Sequence, residues 1–123
     1  MRVRGVDFVG IAVPDMAIAQ AFYRDALGLQ PLSEGEHWSE YEAGNVTVSL
    51  YLMAQAAASE PSMRNAVLAL AVEDVPAALQ ELRAKGSKVL QETEEYPPCF
   101  MATVTDPFGN SIMLHQRKDG SAG

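Results

Sequence analysis

Residues 66–86 read AVLALAVEDVPAALQELRAKG: an apolar run, two acids, and a helical pattern closed by glycine. The seven residues from Ala66 to Val72 carry no polar side chain, which predicts a short strand covered on both faces. Asp74 stands where a helix needs an N-cap, because its carboxylate accepts from amides that the first turn leaves unpaired. Pro76 falls inside that first turn, where a missing N–H costs little. Val75, Leu79 and Leu82 then mark a buried stripe, and Gly86 supplies the left-handed stop.

The same order occurs once earlier in the chain. Residues 7–28, DFVGIAVPDMAIAQAFYRDALG, give a strand halted at Pro14, a cap at Asp15, helical spacing through Ala19, Phe22, Tyr23, Ala26 and Leu27, and a stop at Gly28. Aligning Asp15 with Asp74 sets Phe8 opposite Val67 and Val13 opposite Val72. Three strand candidates follow each helix. They are 29–32, 37–42 and 46–53 in the first copy, and 87–91, 100–105 and 110–116 in the second. Gly44 and Asn45 tolerate positive φ at one hairpin, and Asp106-Pro107-Phe108-Gly109 forms the corner of the other.

One βαβββ unit leaves a sheet face bare, so two copies are expected to pair in a single α+β domain, with helices outside and a shared cup inside. The modules run from about 5 to 53 and 66 to 116, with a linker at 54–65 and a mobile tail at 117–123. A ligand, if any, belongs in the cup.

Bulk composition narrows the function. A net charge of −7, from 9 basic and 16 acidic residues, argues against nucleic acid and favours cationic ligands. No stretch nears the roughly 20 apolar residues of a membrane span, and the N-terminus lacks a signal pattern, so a soluble cytoplasmic protein is expected. Cys99 is the sole cysteine and reads as a small buried hydrophobe, which excludes an internal disulfide or a cysteine zinc cluster. No Ser-His-Asp order, phosphate-binding glycine loop or Cys-His pairing stands out.

The stretches FVGIAVPDM, AFYRDALGL, LALAVEDVPAALQELRAKG and DPFGNSIML resemble landmarks of the vicinal oxygen chelate superfamily, which includes glyoxalase I, extradiol dioxygenases, methylmalonyl-CoA epimerase and bleomycin-resistance proteins. The resemblance spans nearly the whole chain and implies the paired βαβββ cup. Enzymes of the superfamily usually hold a divalent metal there with histidine, glutamate or glutamine. The matching positions here are Phe8, Ser49, Val67 and Met113. None offers the carboxylate, carbonyl or imidazole donor that such ions require, so no metal and no cofactor is expected.

Alternation along the last strand points His115 to the same side as Met113, and the resemblance implies that this side is the inside of the cup, which makes His115 a candidate ligand contact in the cavity or at its rim. Trp38, the only tryptophan, opens a strand beside a loop and is a candidate aromatic wall. Tyr41, Tyr51, Phe100 and Met101 are candidates for the same lining, but their facing depends on register. Residues 92–98, ETEEYPP, read as an acidic loop at the rim. The expected function is a metal-free, homodimeric binding protein of the bleomycin-resistance type that sequesters a small aromatic or cationic molecule. Phe8, Ser49, Val67, Met113, His115 and Trp38 would line its site. The alternative is a glyoxalase-, dioxygenase- or epimerase-like enzyme with a displaced or absent metal site.

Overall fold

The computed structural model describes residues 1–2, 4, 6–53 and 67–122; the expected linker at 54–65 lies outside the described residues. The chain divides into two compact units, Met1–Ala57 and Ala58–Gly123. Both realise the expected α+β, βαβββ plan.

In the first unit, β1 (Phe8–Val13) leads to α1 (Met16–Gln20) and a π-helical turn (Ala21–Ala26), then to β2 (Gln30–Glu34), β3 (Trp38–Glu42) and β4 (Thr47–Leu52). The sheet order is β1-β4-β3-β2, with β1 parallel to β4 and the remaining pairs antiparallel. Asp15 caps α1 as the sequence predicts, its Oδ1 accepting from Ile18 N at 3.0 Å. The helix was expected to run uniformly to Gly28. Instead Leu27 N donates to Phe22 O, five residues back, so the second half is wound as a π-turn before Gly28 stops it at φ 74°. Arg24 of this turn reaches both oxygens of Glu34 at 3.0 Å, and Tyr41 Oη donates to the same carboxylate at 2.6 Å. Burial, reinforced by that carboxylate, holds the Tyr41 phenol well above its ordinary range.

Strand register sorts the side chains. Val13, Val48, Leu50 and Tyr41 lie on the helix-bearing face and are fully buried with Ala19 and Tyr23. Phe8, Gly10, Trp38, Glu40, Glu42, Thr47, Ser49 and Tyr51 lie on the opposite, helix-free face.

The second unit repeats the plan with β5 (Leu68–Ala71), α2 (Val75–Ala84), β6 (Val89–Glu95), β7 (Cys99–Thr105) and β8 (Ser111–Arg117), in the sheet order β5-β8-β7-β6. Asp74 caps α2 through Ala77 N at 3.0 Å, and Gly86 ends it at φ 90°. Gln116 adds a cap from the sheet, its Oε1 accepting from Val75 N at 2.9 Å. Val75, Leu79 and Leu82 are buried, as are Ala102, Val104, Ile112 and Leu114 on the helix-bearing face of the sheet. The Asp106 carboxylate fastens the β7–β8 corner by accepting from Phe108 N, Asn110 N and Asn110 Nδ2 at 2.9, 2.8 and 2.6 Å.

The acidic segment differs from expectation. Glu92, Glu94 and Glu95 belong to β6, which pairs with β7 through two register irregularities, and only Tyr96-Pro97-Pro98 forms the turn. Charged side chains suit this position because β6 is an edge strand, where they oppose pairing with other chains. The interior strand β8 runs through Arg117, and Lys118 N donates to Pro98 O at 2.9 Å.

Candidate functional site

The helix-free face of the first unit carries three rings. Trp38 is stacked near Tyr51, with centroids 6.3 Å apart and planes at 25°, and Phe8 meets Trp38 edge to face at 5.7 Å and 85°. Phe8 is 52% exposed and Trp38 39%, so the rings offer open apolar surface. Gly10 lies beside the cluster: a Cβ there would stand in ordinary contact, 3.4 Å from Tyr51 Cε1 and 3.7 Å from Phe8 Cε2.

Trp38 is held from beneath. Gln20, the last residue of α1, donates through Nε2 to Gly35 O at 3.1 Å and to Ser39 Oγ at 3.0 Å, while Gly35 N donates to Ser39 Oγ at 3.2 Å. Gly35 leaves no space for a side chain, because a Cβ would lie 2.8 Å from the Trp38 carbonyl oxygen. The turn that presents the indole is thus tied to the helix before any ligand arrives, which lowers the ordering cost of binding.

Glu40 and Ser49 are the polar residues of this face in register with Gly10. The Trp38 indole N–H donates to Glu40 Oε1 at 2.7 Å. Ser49 lies between Gly10 and Glu40 in register; it is 0% exposed, and its Oγ has no hydrogen-bond partner among the described residues. Glu42 and Thr47 continue the face into a shallow depression that Asp7 and Leu32 also line.

The helix-free face of the second unit differs in chemistry. Register assigns it Ala69, Ala71, Met101, Thr103, Met113 and His115, with His115 between Ala71 and Met101. His115 therefore shares a face with Met113, as alternation predicts. Val67 immediately precedes β5 and is half-exposed. Glu94 pairs opposite Met101, and the Tyr96 hydroxyl, donating at 2.5 Å, lowers its carboxyl from the usual value. Of the aromatic candidates, Tyr51 is on a helix-free face, whereas Tyr41 and Phe100 belong to the helix-bearing faces. Phe100 lies under Lys118 Nζ, 5.1 Å from its ring centroid.

Sequence reasoning missed Glu40 and Gly10. The signal was available for Glu40, since period two from Trp38 reaches it directly. For Gly10 it was not, because the rings that converge over it come from three strands.

A family model for the Glyoxalase/Bleomycin resistance protein/Dioxygenase superfamily matches residues 5–114. The chain belongs to this superfamily. Among solved structures, a glyoxalase-related enzyme from Fulvimarina pelagi is similar at 18% identity and a TM-score of 0.79, covering 98% of both chains. TnmS3, an antibiotic-binding protein from Streptomyces sp. CB03234, is 25% identical with a TM-score of 0.75, covering 96% of this chain and 99% of its own. A lactoylglutathione lyase from Agrobacterium tumefaciens is 17% identical with a TM-score of 0.73, covering 94% and 96%; this likeness and that to the Fulvimarina enzyme show the fold alone. No curated protein matches the sequence significantly.

The metal that superfamily enzymes carry does not fit these residues. Ser49 pairs opposite Gly10, two residues after Phe8, and Met113 pairs opposite Ala69, two residues after Val67, so both units set the four positions with one stagger. The donors there are a phenyl ring, a hydroxyl, an isopropyl group and a thioether, none suited to a divalent ion that needs carboxylate or imidazole. Among the described residues no group of three or more His, Cys, Asp or Glu is gathered closely enough to hold a metal.

Proposed function

We propose that the chain is a metal-free small-molecule-binding protein that sequesters a compact aromatic or cationic compound. Phe8, Trp38 and Ser49 are the candidate contacts of the first unit taken by itself, and Val67, Met113 and His115 those of the second. The observation that carries this reading is the set of half-open rings that Phe8, Trp38 and Tyr51 hold together on the helix-free face of the first unit. Rigid rings give contact area at little entropic cost, and such binding requires no reaction. TnmS3, an antibiotic-binding protein similar over nearly the full chain, supports the reading. His115 supplies a polar contact that both donates and accepts. We further propose a homodimer acting in the cytoplasm. The single free, buried cysteine suits a reducing compartment. No helix among the described residues is long and apolar enough to cross a membrane.

Trp38 is the chain's only tryptophan, so its emission reports on the proposed site. Titration with a panel of planar aromatic compounds should give a saturable change for at least one member, with a Kd below about 100 µM. A native mass spectrum of the same preparation should show the dimer mass. If no compound produces a saturable change, the binding reading fails.

A further inference from the structure

The face that carries the rings is charged with one sign only. Phe8, Gly10, Trp38, Glu40, Glu42, Thr47, Ser49 and Tyr51 occupy it on β1, β3 and β4, and no Lys or Arg of these strands joins them. Glu40 is the acid closest to the rings: Oε1 accepts the Trp38 indole N–H at 2.7 Å, and Oε2 has no hydrogen-bond or ion-pair partner among the described residues. Glu34 of the same unit, by contrast, is taken up by Arg24 and Tyr41. Directly across the strand pair from Glu40 stands Ser49, with its buried and unpartnered hydroxyl. A stacking surface and a fixed carboxylate with a spare oxygen thus occur together.

Resting on the binding reading above, we infer that Glu40 is the specificity-determining residue of the site and selects aromatic ligands that carry a protonated nitrogen. The ring of such a ligand stacks on Trp38 and Tyr51, whose negative faces also attract a cation. Its N–H group donates to Glu40 Oε2 in a charge-assisted bond. The Trp38 N–H holds the carboxylate in place, so the charge is oriented before the ligand binds. A neutral ligand of the same shape keeps the stacking and loses the charged contact; an anionic one meets repulsion.

Calorimetric titration of the full chain with two probes tests this: 9-aminoacridine, cationic at neutral pH, and acridine, neutral at the same pH. The unaltered protein should bind the cation about ten-fold or more tightly than the neutral ring, the range that charged hydrogen bonds provide. Glu40→Gln retains the shape and an acceptor for the indole N–H. It should reduce that preference to within about two-fold while leaving acridine affinity unchanged. Glu42→Gln, altered on the same face two residues away, should keep the preference. If Glu40→Gln leaves the preference intact, or Glu42→Gln removes it equally, Glu40 is not the selector although the binding reading stands. If the unaltered protein binds neither probe, both the inference and the aromatic platform beneath it fall.

Discussion

In the first unit β3 brings Trp38 and Glu40 onto the helix-free face; in the second, the corresponding strand, β7, brings Met101 and Thr103. The caps and stops of the helices show no such divergence. Asp15 and Asp74 cap their helices with the same 3.0 Å bond, Gly28 and Gly86 end them with positive φ, and a mainly apolar layer, which includes Tyr23 and Tyr41 in the first unit, lies between helix and sheet. The difference separates what builds each unit from what the unit offers to a ligand. Capping and core positions are dictated by backbone chemistry common to both copies, whereas the open face is free to carry rings and acids in one and thioethers, small residues and an imidazole in the other.

The largest expected effect lies at a corner where the copies part. Asp106 is nearly fully buried and accepts three hydrogen bonds in the β7–β8 turn, while the β3–β4 turn relies on Gly44 at φ 83°. Asp106→Ala should destabilise the protein by about 3 kcal/mol in urea denaturation, roughly one for each lost bond. Gly44→Ala should cost about 1 kcal/mol. Equal costs would show that the two corners are built alike after all.

Next comes the contrast between the open faces. Trp38→Ala should weaken binding of an aromatic ligand by about 2 kcal/mol or more, as for a buried aromatic anchor, and Met101→Ala by less than about 0.5 kcal/mol. Calorimetry with the same ligand checks both, and a reversal would move the principal contact surface to the second unit.

The caps are expected to behave as equals: Asp15→Ala and Asp74→Ala should each lower stability by about 1 kcal/mol. Because Gln116 also accepts from Val75 N, a smaller loss at Asp74 would measure how far the sheet-borne cap compensates. Smallest is Ser49→Ala. Removing a buried hydroxyl with no partner should leave the ligand-free protein unchanged or about 0.5 kcal/mol more stable. A loss above about 1 kcal/mol would mean that the hydroxyl is already engaged.

Most of the fold was legible because it depends on local signals. Apolar runs, aspartate caps and terminal glycines recur in both halves and fix strand, helix and stop without knowledge of the partner strand. The π-turn at Ala21–Ala26 was not legible, since apolar spacing at Phe22, Tyr23, Ala26 and Leu27 suits an α-helix as well. The acidic stretch at 92–95 reads as a loop by charge alone; edge position makes it a strand, and edge position is a property of the sheet. Among the candidate residues, the face of His115 followed from alternation relative to Met113. The facing of Tyr41, Tyr51, Phe100 and Met101 needed the register, and the unpartnered state of Ser49 needed atomic positions.

The central claim is that this superfamily member binds its ligand without a metal. Elemental analysis of the purified protein after dialysis tests it most directly. The account predicts no transition metal in stoichiometric amount, even after prior incubation with nickel, zinc, manganese or iron, because Phe8, Ser49, Val67 and Met113 supply no adequate donor set. Retention of about one such ion per chain would contradict it, since a metal that survives dialysis requires a formed set of ligands.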